Sequence, residues 1–130
     1  ILGGRFKTSV IDERGEIAAV RNGLPQNDVG INTDVFDGYP KPVGISAAVR
    51  VMSPQIIVCD EIGSEEDFSA VQNASYSGVY VAASIHAASM EELLSKNINI
   101  NIFDKIAFLS DSKSVGKITC IKTRTVNGYA

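Results

Sequence analysis

The sequence has 130 residues, enough for one domain with a real core, and residues 1–130 read as a single domain. It is 45% hydrophobic and 21% charged, the balance of ordinary soluble domains. A net charge of −3 leaves no electrostatic footprint for nucleic acid and no polybasic membrane patch, and no run of about 18 apolar residues spans a bilayer. The two cysteines, Cys59 and Cys120, lack metal-ligand spacing and form no disulfide framework. A reducing, cytoplasmic setting is expected, with no signal peptide. The chain opens on Ile1 without a methionine and reads as a processed, cleaved or truncated product.

Phe6–Ile11 is β-branched toward its end and predicts a strand. It runs into the charged segment Asp12-Glu13-Arg14-Gly15-Glu16. Residues 22–42 are rich in Gly, Pro, Asn and Asp and predict a long loop, usually functional when it occurs. Ile45, Ala48, Val49 and Met52 fall at helical spacing, so Gly44–Met52 predicts a helix stopped by Pro54. Gln55–Cys59 predicts the second strand, and its apolar run from Ile56 is the mark of a strand in a parallel sheet covered on both faces. Ser64 caps a helix with Asp67 three positions on, Glu65 and Glu66 in its first turn, and Phe68 and Val71 inward. Val79–Ala83 predicts the third strand. Ser89 and Glu92 form a capping box for a helix that turns Met90, Leu93 and Leu94 inward. Residues 97–102 alternate Asn and Ile, which is a strand pattern in a place that suits a crossover helix or loop. Lys105–Leu109 predicts a fourth strand, and 117–121 with 122–126 a carboxyl-terminal β-hairpin. Strands alternating with helices make this an α/β protein with a mostly parallel sheet.

The chemistry concentrates where strands end. Ile56-Ile57-Val58-Cys59-Asp60-Glu61 looks like a Walker B strand, with Asp60 holding Mg²⁺ through water and Glu61 polarising an attacking water. Open α/β sheets place ligands at that strand end. No G-x-x-x-x-G-K-[ST] loop occurs in the sequence to cradle the phosphates. His86, the only histidine, follows the third strand and would contact a phosphate there; a lone histidine is more often structural. Asp12, Glu13, Arg14 and Glu16 either shape a site, with Arg14 paired to a carboxylate or phosphate, or form a solvated strand exit. Asp28, Asp34 and Asp37 lack EF-hand spacing and read as turn formers. Arg50, on the helix before the acidic strand, is a candidate phosphate or subunit-contact arginine. There is no G-x-S-x-G elbow for serine hydrolysis.

An acidic box, an Asp-Glu strand end and a histidine strand end in that order resemble the type II and type IV secretion ATPases. The segments Val10–Ala18, Asn27-Asp28-Val29-Gly30, Thr33-Asp34-Val35, Pro40-Lys41, Arg50–Pro54 and Asp60–Gly63 are similar, collinearly, to the stage III sporulation protein AA family of RecA-like ATPases. The resemblance covers most of residues 6–110. It implies a RecA-like P-loop NTPase core lacking its first strand and P-loop, with ATP and Mg²⁺ as cofactors of the full protein and no activity in this piece alone. By resemblance, Glu61, Glu13, His86 and Arg50 are catalytic, Asp60, Asp12 and Arg14 lie at the nucleotide, and Asp60 is the metal holder. It also implies a homo-oligomeric ring, or a dimer of the piece, working with other proteins of a sporulation channel operon. Its expected place is the mother-cell cytoplasm, peripheral to the forespore membrane. The alternatives are an assembly module of the same complex and a nucleic-acid-handling ATPase.

Overall fold

The β-branched residues of the first predicted strand form the centre of a parallel sheet. In the computed structural model, which describes residues 1–96, 98–110 and 116–130, strand β1 runs Thr8–Asp12 and is buried along its whole length. It starts two residues later and ends one residue later than Phe6–Ile11 predicts, so Asp12 belongs to the strand. The chain divides into two compact units, Ile1–Ile98 and Asn99–Ala130.

In the first unit the strand order is β2-β1-β3-β4, all parallel. β2 is Thr33–Asp37, inside the segment predicted to be loop throughout. Thr33, Val35 and Phe36 suit a strand, and parallel pairing with β1 outweighs the surrounding turn residues. Asp34 and Asp37 are therefore strand residues, while Asp28 makes the expected turn by accepting a hydrogen bond from Gly30 N at 3.0 Å. Between β1 and β2, Asn22 and Gly23 take φ of 50° and 76° between the bridged residues Arg21 and Leu24, the requirement of a tight type I′ turn.

Helix α1 spans Lys41–Ala47 and continues as a π-helical turn, Ala48–Met52, so the helix starts before the predicted Gly44. Pro42 is tolerated because it sits in the first turn. The helix ends at Ser53, in the left-handed region, with Pro54 behind it. A Cβ on Gly44 would lie 2.7 Å from Ile11 Cγ2, so this position lets α1 approach β1 closely. Strand β3 is Ile56–Cys59 and helix α2 is Glu65–Tyr76. The α2 capping box is complete: Ser64 accepts from Asp67 N, and Asp67 accepts from Ser64 N. Phe68, Val71 and Ala74 form the buried stripe, and with Ile11, Ile45, Ala48 and Ile57 they supply much of the core.

Strand β4, Tyr80–Ala83, closes the sheet, and helix α3 spans Met90–Ser95. Ser89 caps α3 as predicted, but Glu92 returns its carboxylate to Ala88 N and not to Ser89 N. Leu93 is buried, whereas Leu94 stays exposed, because six residues offer only a narrow inward stripe.

Burial pushes the Cys59 thiol up to about 12, with Asp60 and Asp67 adding to the rise and the Lys41 charge opposing it. Cys120 is exposed. Alkylation needs thiolate, so iodoacetamide at pH 8 is expected to modify Cys120 and to reach Cys59 only after denaturation. Peptide mass mapping checks this, and equal labelling rates of the two thiols would contradict the burial of β3.

In the second unit, β5 (Lys105–Leu109), β6 (Ile118–Thr125) and β7 (Gly128–Tyr129) form an antiparallel sheet in that order. The predicted fourth strand exists but pairs antiparallel with β6, outside the parallel sheet. The predicted hairpin halves 117–121 and 122–126 are largely one strand, β6. The carboxyl-terminal hairpin instead pairs β6 with β7, Thr125 opposite Gly128. Of residues 97–102, Asn97 lies outside the described residues. Ile100–Ile102 is a short 3₁₀ turn instead of a strand, as Asn99 Oδ1 accepts from Asn101 N.

Candidate functional site

The order β2-β1-β3-β4 reverses direction once. From β1 the chain goes to β2 on one side; from β2 it crosses back to β3 on the other. The carboxyl ends of β1 and β3 therefore flank a topological switch point, where open α/β sheets hold ligands. Asp12, Glu13 and Arg14 lie at the first of these ends, Asp60 and Glu61 at the second. His86 follows β4, the next strand, and Ile62 N donates to Ser84 O at 2.8 Å to tie those two exits together.

Asp12 is fully buried, and its carboxylate accepts from Glu16 N at 2.8 Å, Ala18 N at 2.7 Å and Ile17 N at 3.2 Å. Its oxygens are turned into the acidic loop, so Asp12 folds that loop. Glu13 and Arg14 are thereby held outward at the strand end.

Two groups of contacts follow. In one, Lys41 Nζ stands 3.0 Å from Glu13 Oε2 and 2.7 Å from Asp60 Oδ1. Lys41 is only 4% exposed. Burial pulls its pKa down, but Asp60 and Glu13 outweigh that and hold it above the ordinary lysine value. In the other, Glu61 Oε2 lies 3.7 Å from Arg14 Nη1 and 3.6 Å from His86 Nε2. These partners are solvent-exposed, so the contacts add little stability but leave Glu61 open to water.

Arg50 is not brought to this cluster. It lies on the π-helical turn and lines a groove of about 690 Å³ with Glu65, Glu66, Ser69 and Asn73 of α2. Lys41 is the residue sequence reasoning missed. Its signal was the rigid Pro40-Lys41-Pro42 segment, but a lysine is exposed by default, and nothing local announces its burial.

Both Asp60 oxygens are buried, and among the described residues neither receives a well-directed hydrogen bond; Lys41 supplies charge close to one of them. An under-satisfied buried carboxylate suits a cation ligand. No group of three or more His, Cys, Asp or Glu is placed to cage a metal ion among the described residues. A Mg²⁺ ion, which binds through one or two carboxylates with water and phosphate oxygens, would find one such carboxylate here in Asp60.

Fold and site together define an α/β protein whose parallel sheet gathers carboxylates, a lysine, an arginine and a histidine at its switch-point edge. The family described as Sporulation stage III, protein AA matches residues 4–127. Stage III sporulation protein AA of Bacillus subtilis (strain 168) is 36% identical over 126 residues, covering 93% of this chain and 41% of that protein. The chain belongs to the Sporulation stage III, protein AA family, which supports a role in sporulation. It spans about two-fifths of the length of the curated relative it matches. No helix among the described residues is long and apolar enough to cross a membrane.

Proposed function

We propose that this sheet edge is the metal-and-water side of an ATP-hydrolysing site in a RecA-like sporulation motor. The observation that carries the reading is the convergence of the acidic box, the Asp60-Glu61 strand end and His86 on neighbouring strand exits. Asp60 would hold Mg²⁺, which when bound supplies charge neutralisation for the phosphates. Glu61 would accept a proton from the attacking water, with Arg14 and His86 fixing its carboxylate. Glu13 would hold the Lys41 ammonium against the second strand end. Asp12 would keep the loop carrying Glu13 and Arg14 in place. The phosphate cradle would come from outside these 130 residues, which contain no G-x-x-x-x-G-K-[ST] loop. The full protein would act as a ring with other proteins of its operon, in the mother-cell cytoplasm at the forespore membrane.

A phosphate-release assay tests the reading. The full-length protein is expected to hydrolyse ATP only with Mg²⁺, and the 130-residue chain alone to give no turnover. A full-length protein without Mg²⁺-dependent turnover would remove the motor reading. Turnover by the 130-residue chain, abolished by Asp60→Asn, would overturn the proposed division of the site.

A further inference from the structure

A buried lysine is costly, and local structure gives this one no help. Lys41 opens α1, where the helix dipole disfavours a cation. Pro40 before it and Pro42 after it restrict the backbone, so the side chain enters the sheet edge from a fixed point. What offsets the cost is the pair of carboxylates, one from each flank of the switch point. The compensation is incomplete. Two carboxylates face one ammonium, and Asp60 Oδ2 is buried with no hydrogen-bond partner among the described residues. A single positive charge holds the site together but leaves it one negative charge in excess.

We propose that Lys41 is a positioning residue that stands in for a metal ion at Asp60. Its ammonium joins the β1 and β3 exits while no nucleotide is present, and a divalent cation gains Asp60 only by displacing it. The site is thereby kept from binding metal without the phosphates that bring it. This deepens, and rests on, the reading of Asp60 as the Mg²⁺ holder.

The test uses Mn²⁺ as the probe, read by electron paramagnetic resonance on the full-length protein without nucleotide. Lys41→Met keeps an unbranched apolar stem, one atom shorter, and removes the charge. It is expected to tighten Mn²⁺ binding at least about tenfold, since a unit charge at contact distance is worth that much even with strong screening. Lys41→Arg should keep the wild-type affinity, and the double variant Lys41→Met/Asp60→Asn should return to it. Unchanged affinity in Lys41→Met, or a gain that survives Asp60→Asn, would overturn the proposal. If Lys41→Met alone is too unstable to assay, the double variant must recover the fold, because a neutral Asn needs no counter-charge; a double variant equally unstable counts against the proposal. The readout does not depend on hydrolysis. A protein that gains Mn²⁺ affinity in Lys41→Met yet never releases phosphate would lose the motor reading and keep this one.

Discussion

Asp12→Ala is expected to destabilise the chain by about 3 kcal/mol or more, measured by chemical denaturation. Asp12 is the one carboxylate in the acidic box that is fully buried, and three backbone N–H groups, of Glu16, Ile17 and Ala18, point at its oxygens. Hydrogen bonds to a charged acceptor are each worth about 1.5–3 kcal/mol, and removing the acceptor leaves the donors without a partner. Ala18, itself fully buried, would lose its tether, and with it the contacts its carbonyl makes to Gln26 N and Asn27 N. Asn is no rescue, because it offers one acceptor oxygen and turns an N–H toward the loop's own donors. Asp12→Asn should therefore fall closer to the alanine variant than to wild type. The melting temperature is expected to drop by about 10 °C in either case. An alanine variant within about 0.5 kcal/mol of wild type, the range of an ordinary surface substitution, would show that the loop holds itself without this clasp.

The same residue marks the boundary of what the sequence reveals. The strands β1, β3 and β4 are legible because their apolar runs are long and bounded by charge or glycine, and α2 because Ser64 and Asp67 announce it. From those elements the convergence of Asp12–Arg14, Asp60-Glu61 and His86 follows, since parallel strands present their carboxyl ends on one edge. The direction in which Asp12 turns does not follow. An acidic residue at a strand end looks the same whether it faces a ligand or its own loop, and only the backbone path of Glu16–Ala18 decides. Strand β2 was hidden for a different reason. Thr33–Asp37 is short, edge-placed and flanked by Asn32 and Gly38, and its stability comes from pairing with β1, which is not a local property. Lys41 combines both difficulties: its burial depends on two carboxylates far away in sequence, and its own residue type argues for solvent. Arg50 precedes the acidic strand in sequence, but it lines a groove with residues of α2 and does not join the strand-end cluster.

If the proposed ATP-hydrolysing site is right, Glu61→Gln in the full-length protein is expected to lower ATP turnover by about 10²–10⁴-fold while leaving nucleotide affinity within a few-fold of wild type. Asp60 is buried and engaged by Lys41, so it cannot meet a free water. Glu13 is committed to the same lysine. The Glu61 side chain is 38% exposed, close to the 40% of Glu13, but among the described residues it is met only at long range, by Arg14 and His86. Glutamine keeps the shape of the side chain but removes the basic oxygen, so a large fall in turnover with binding intact isolates proton transfer from ground-state contact. Folding should be untouched, since the ion pairs lost are surface pairs worth about 0–1 kcal/mol. His86→Ala supplies the contrast. The histidine side chain is 89% exposed and holds Glu61 at 3.6 Å, which is orientation without commitment, so its loss is expected to cost only a few-fold. Single-turnover phosphate release with a parallel nucleotide-binding titration measures both quantities. A Glu61→Gln protein retaining more than half the wild-type rate would reassign the water-activating role and leave the Arg14–Glu61–His86 line as surface electrostatics.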